Sequence, residues 1–136
     1  MSIEENKAVV NKIYDLCNQG NIEAAYEHYA PECICHMPDG DMSVAQVRDF
    51  DAVLFNAFPD ITLTILDIIS EGDKVAFRVN IKGTNTRELM GNPPTGKKLD
   101  MINSNWARVL DGKLVEFWVT MDRLSMIQQL GGIPGQ

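Results

Sequence analysis

Lys113-Leu-Val-Glu-Phe-Trp-Val-Thr-Met-Asp122 alternates without a break. Val115, Phe117, Val119 and Met121 fall on one side, and Glu116, Trp118, Thr120 and Asp122 on the other. Successive side chains of a strand point to opposite faces, so this stretch has one wholly apolar face and one mixed face. The apolar face is core. The mixed face, with two carboxylates, an indole and a hydroxyl, is either solvated or the wall of a pocket.

Reading outward, Asp111-Gly112 is a hairpin signal that joins this strand to another from Leu99 to Leu110. A Gly/Pro-rich loop over 85–96 precedes it. Before the loop, Ile61–Ile69 and Val75–Ile81 alternate around the tight turn Glu71-Gly-Asp-Lys74, which predicts an antiparallel pair. Upstream of residue 60 the period is helical. Ser2-x-x-Glu5 and Ser43-x-x-Gln46 have the form of capping boxes. The first opens a helix carrying Val9, Ile13, Leu16 and Cys17. The second opens one with Val44, Val47, Phe50 or Asp51, Leu54 and Phe58 on one side, closed by Pro59. Between them, Asn21 caps a helix over Ile22–Ala30 that Pro31 stops, and Cys33–His36 reads as a short first strand. A short helix over Ser125–Leu130 and a mobile tail, Gly131–Gly135, are expected at the end. Helices followed by a meander of strands predict an α+β domain, with helices on one face of a curved antiparallel sheet. A ligand then belongs between the helices and the concave face.

The composition fits a single domain over residues 1–136, 45% hydrophobic and 23% charged. A net charge of -7 repels phosphate backbones and argues against nucleic acid. No run approaches the roughly 18 apolar residues of a membrane span. The acidic start, Met-Ser-Ile-Glu-Glu-Asn, has no signal-peptide pattern, and three cysteines without framework spacing read as reduced thiols, so a cytoplasmic location is expected.

Two motifs mislead. Gly91-Asn-Pro-Pro-Thr-Gly-Lys-Lys98 nearly spells a phosphate-binding loop. However, Lys98 supplies no hydroxyl for magnesium, and Pro93 and Pro94 remove amides that would hold phosphate. Cys33-x-Cys35-His36 suggests zinc, yet on a strand the imidazole points away from both thiols. No metal and no cofactor is expected. His36, where the first strand meets a loop, reads either as a surface imidazole or as a polar group at a pocket mouth. Tyr14 belongs to core or to pocket. Arg78 and Asn80 share a strand face, as do Asn103 and Asn105, and alternation alone does not say which face is concave. Asp122 has two readings of opposite chemistry. As a helix cap it accepts amide hydrogen bonds, which lower a carboxyl pKa; beside an indole in an apolar pocket, burial raises it.

An ordered series of short motifs carries a resemblance. Ala57-Phe-Pro-Asp60, Glu71-Gly-Asp-Lys-Val75, Arg78, Gly83-Thr84, Glu88-Leu-Met-Gly91 and Pro93-Pro-Thr-Gly-Lys97 form its first half. Arg108, Asp111-Gly-Lys113, Val115-Glu116, Trp118, Asp122 and Gln128-Gln-Leu-Gly131 complete it. Over about residues 5 to 131 the chain resembles the SnoaL-like polyketide cyclases. The resemblance implies the NTF2-like fold, a cone of three helices wrapped by a strongly bent sheet, and a homodimer through the sheet's outer face. It also implies a cofactor-free intramolecular aldol closure of an apolar, carbonyl-bearing small molecule, with Asp122 as general acid/base. Tyr14, Phe58, Met90 and Trp118 are then expected to shape the cavity, with Asn105 and His36 as polar contacts. The histidine that assists the acid in such cyclases has no counterpart on the Leu99–Leu110 strand, where Asn103, Asn105 and Trp106 stand. A non-catalytic small-ligand-binding protein of the same fold is the alternative.

Overall fold

The computed structural model describes residues 2–131; most of the expected tail lies outside that range. Helix α1, Ile3–Asn18, is opened by the reciprocal Ser2/Glu5 capping box. It buries Asn6, Val10, Ile13 and Leu16 along one stripe. Helix α2, Ile22–Tyr26, starts at an Asn21 cap. It is shorter than the sequence suggests, because strand β1 begins at Tyr29 and runs to Met37 through Pro31. The strand tolerates the proline because its pairing is irregular between Tyr29 and Ile34, where a missing N–H breaks no ladder. Strand β2, Gly40–Ser43, returns alongside β1. Helix α3, Val44–Ala57, follows from the Ser43/Gln46 box.

Strands β3, Thr62–Glu71, β4, Lys74–Thr84, β5, Lys98–Leu110, and β6, Lys113–Thr120, form the antiparallel meander. Asp111 and Gly112 join the last two with φ of 52° and 78°, the doubly positive turn whose twist matches the strands. Helix α4, Arg123–Gln129, closes the described chain. The sheet order is β2-β1-β6-β5-β4-β3, mixed only where β1 runs parallel to β6. Irregular registers at Ile65/Asp67 and Arg108/Val109 let the long strands bend around α1 and α3. This is the α+β cone that the sequence predicts. Among the described residues, no helix is long and apolar enough to cross a membrane.

Register assigns the two sheet faces. Directly paired residues share a face, and Ile69, Ala76, Trp106, Trp118, His36 and Asp41 form one row across all six strands. That row is on the outer face, where Trp106 is 52% exposed. The inner face carries Phe77, Val79, Ala107 and Phe117, packed against α1 and α2. Asn103 and Asn105 also point inward and are buried.

Candidate functional site

Between the helices and the concave face lies a cavity of about 80 Å³. Its walls are apolar and aromatic. Tyr14 of α1 meets Phe77 edge-on at 5.4 Å, and Tyr26 stacks on Tyr29 at 4.8 Å. Tyr29 in turn meets the edge of Phe117 at 6.1 Å. Such contacts fix ring positions more tightly than aliphatic packing does.

Among the described residues, one carboxyl group faces this space, that of Asp51 on α3. Val47, Asp51 and Leu54 are spaced i, i+4, i+7, which puts the acid on the apolar stripe that α3 turns toward the core. Its Oδ2 accepts a hydrogen bond from the Tyr26 hydroxyl. Loss of water around the carboxyl pushes its pKa up to about 6, and the Tyr26 bond only partly counters this. Desolvation raises the Tyr14, Tyr26 and Tyr29 phenols as well, so all three stay protonated and able to donate at neutral pH. The Cys17 thiol, also in the wall, is pushed up to about 12 by burial and by Asp51, and so remains a thiol. At the opposite wall, Asn105 Nδ2 donates to the Tyr14 hydroxyl oxygen at 3.3 Å. The arrangement can hold a carbonyl compound against phenol and amide donors while a carboxyl near neutrality exchanges a proton with it.

Asp51 is the residue that sequence reasoning missed. Its signal was a carboxylate on an apolar helical stripe, masked by Phe50 next to it, which satisfies the same pattern without cost.

Of the residues expected at the site, Tyr14 and Asn105 line the cavity and touch each other. Five stand elsewhere. Trp118 and His36 are on the outer face, stacked on one another at 5.1 Å, because β6 turns Phe117 and Val119 inward and so turns Trp118 out. Phe58, 0% exposed, fills a separate core cluster with Leu63, Val79 and Leu99. Met90 is 65% exposed on the loop before β5, in a tight reversal where its φ is 50°. Asp122 is exposed, and its Oδ1 accepts the Ser125 N–H at 3.0 Å as the cap of α4. The neighbouring Met121, not Asp122, faces the cavity.

The mixed face of β6 is thus the outside of the sheet, and its charges form a ladder. His36 Nδ1 and Nε2 lie 2.6 Å from Asp41 and Glu116. Glu116 also takes a bond from Arg108 at 3.2 Å, and Arg108 reaches Asp73. Glu116 and then Asp41 raise the His36 pKa. Arg78 and Asn80 share this face, bonded to Asp67 and Asp100.

Three comparisons place this geometry among known proteins. The family model for SnoaL-like polyketide cyclase matches residues 7–130. AclR from Streptomyces galilaeus, a proposed hydroxylase, is similar in structure with a TM-score of 0.90 and 28% identity, over 98% of this chain and 100% of its own. IdmH from Streptomyces antibioticus, a proposed polyketide cyclase, has a TM-score of 0.82 and 32% identity, over 93% of this chain and 98% of its own. A proposed polyketide cyclase from Acidithiobacillus ferrooxidans follows with a TM-score of 0.79 and 29% identity, over 96% and 97% of the two chains. No curated protein matches the sequence at a significant level.

Proposed function

We propose, from the premise that this chain belongs to the SnoaL-like polyketide cyclase family, that it is a cofactor-independent cyclase or isomerase acting in the cytoplasm. Its substrate is an apolar, carbonyl-bearing small molecule. The observation that carries this reading is the carboxyl group of Asp51, held in an apolar cavity where burial pushes its pKa up to about 6. A base whose pKa lies near the working pH combines a useful ionised fraction with a useful proton affinity.

The chemistry is redox-neutral and balances within the site. Asp51 removes a proton from a carbon next to a carbonyl, and the C–H electron pair moves onto the carbonyl oxygen as an enolate. The Tyr14 hydroxyl, kept protonated by burial, donates to that oxygen. The enolate carbon then bonds to a second carbonyl carbon of the same molecule. The resulting alkoxide takes back the proton that Asp51 holds. Tyr26 orients the carboxyl group throughout.

Ligand pockets usually measure about 300–1,000 Å³. A polyketide-sized substrate therefore enters only if the wall moves. Met37, Phe50 and Met121 separate the cavity from an outer recess bounded by Asp39 and Arg123. Two of the three are methionines, whose unbranched side chains re-pack readily. Arg123 grips Asp39 through two bonds of 2.6 and 2.8 Å across that recess.

Asp122 supports a second reading, because it adjoins Met121 and matches the family's acid by resemblance. The two assignments separate cleanly. Asn caps a helix about as well as Asp, so Asp122→Asn is expected to leave both stability and turnover of a dicarbonyl substrate unchanged. Asp122→Ala is expected to cost about 0.5–2 kcal/mol of stability through the lost cap. A folded Asp122→Asn variant without turnover would return the acid/base role to Asp122. If neither wild type nor any variant turns over a dicarbonyl or enone yet the cavity still takes up ligand, the non-catalytic binding alternative holds.

The reading includes a homodimer through the outer sheet face. Ile34, Leu66, Ile102 and Trp106 are exposed there and form part of a surface that a second copy can cover. Light scattering at micromolar concentration is expected to give twice the chain mass; a monomer removes this part of the proposal.

A further inference from the structure

Two amides stand among the apolar side chains with which strands β3 to β6 line the cavity. Asn103 and Asn105 are 4% and 3% exposed, and both line the cavity. Their Oδ1 atoms are buried without a hydrogen-bond partner. An unpaired buried polar atom costs roughly 1–3 kcal/mol, and most such atoms in folded proteins find partners. Here two stand two residues apart on one strand face, about 7 Å along β5, and both face the space where a ligand would lie.

The orientation of an Asn amide can be exchanged by a half-turn, but what the Tyr14–Asn105 pair offers a ligand does not depend on it. With Asn105 Nδ2 donating to Tyr14, the free groups are an amide oxygen and the phenol proton. With the amide turned, Tyr14 donates to Oδ1, and the free groups are an amide N–H and a phenol lone pair. Either way the pair offers one donor and one acceptor. Asn103 adds a buried acceptor beside them.

We propose that Asn103 and Asn105, with the Tyr14 hydroxyl, are the specificity-determining groups of this cavity. They select a ligand that carries a hydroxyl and a carbonyl on one edge, such as a phenolic ketone, over a ketone of the same shape without the hydroxyl. The inference rests on the cyclase-type reading only in taking the ligand to be a carbonyl compound. The hydroxyl gives its proton to the free acceptor of the Tyr14–Asn105 pair, and the carbonyl accepts from that pair's donor. A plain ketone leaves the acceptors buried and unpaired, whereas water can enter with it only if room remains. Discrimination therefore arises from polar atoms left unpaired. Leu54 and Phe117, also in the wall, meet the apolar body of either compound equally.

The test compares 3-hydroxyacetophenone with acetophenone, titrated into the protein and followed by NMR shifts of the cavity residues. The hydroxyketone is expected to bind at least about tenfold more tightly. In Asn103→Leu and in Asn105→Leu the preference is expected to fall to within about threefold while acetophenone binds no worse, since an apolar side chain of similar size removes a buried amide oxygen that has no partner. By the same reasoning Asn103→Leu, which breaks no side-chain hydrogen bond among the described residues, is expected to resist urea at least as well as wild type. Marked destabilisation would show that the amides serve the fold and would overturn the proposal. Should a Leu variant not fold, Tyr14→Phe carries that arm, because it removes a donor with little change of shape. Equal affinities in wild type, failure of both compounds to bind, or a preference that survives these substitutions overturns the inference, the amides then holding water only. None of these readings needs turnover. An Asp51→Asn variant that stays active would sink the proposed mechanism while leaving this preference measurable. Loss of the preference with Asp51 still essential would sink this inference alone.

Discussion

Asp51→Asn is expected to stabilise the folded chain at pH 7 by up to roughly 3 kcal/mol while lowering turnover about 10²–10⁴-fold. The two effects have one cause. Burial raises the carboxyl pKa from 3.8 to about 6, so the folded state resists ionisation that the unfolded chain accepts freely. Between these two values the native state holds more protons than the unfolded state. Stability therefore falls as pH rises from about 3.8 to about 6, and the penalty is complete above that. Below 3.8 both states are protonated and the penalty disappears. Asn has no proton to lose, and its Oδ1 still accepts from Tyr26, so the variant avoids the penalty and keeps the bond. Because Asp51 is only half-buried by surface, the 3 kcal/mol is a ceiling. Urea midpoints at pH 4, 5, 6 and 7 provide the check: the two proteins converge at low pH and separate toward neutrality, with Asn the more stable. A variant less stable than wild type at pH 7 would make Asp51 a structural partner of Tyr26 rather than a strained functional acid.

Phe58→Ala is expected to cost about 3–5 kcal/mol, a large part of the 5–15 kcal/mol available to a typical domain. The ring is fully buried, and it lies so close to Gly83 that a Cβ there would stand 3.2 Å from Phe58 Cβ. Truncation leaves a void where α3 ends against β3 and β4, since Ala57, Leu63, Val79 and Ile81 wall the same cluster. Folded variant is expected to bind ligand as wild type does, because the ring is not part of the cavity wall. Met90→Ala, on the exposed loop, is expected to stay within about 0.5 kcal/mol. Urea unfolding of the two variants measures the contrast. A small loss for Phe58→Ala together with altered ligand binding would place that ring in the cavity after all.

Much of the fold was legible because its signals are local. The Ser2 and Ser43 boxes, the Asp111-Gly112 turn and the alternation of four strands each depend on neighbours a few residues away. The end of α2 was not local, since β1 draws Tyr29 and Pro31 into the sheet by pairing with β6, about eighty residues later. The site was less legible for the same reason. Alternation showed that β6 has two faces and that Asn103 and Asn105 share one, but each strand's pattern is compatible with either curvature of the sheet.

The sequence by itself determined the element order, the caps and turns, the apolar faces and, through its motif series, the family. Only the tertiary structure decided which face is concave. That one fact turned Trp118 and His36 outward, turned Asn103 and Asn105 inward, left Asp122 capping α4 and put Asp51 against the cavity. The physical reason is that periodicity reports which residues lie on the same side of one element, whereas a site is made by sides of several elements facing each other. Long-range register and packing set that relation, and no short stretch of chain encodes it.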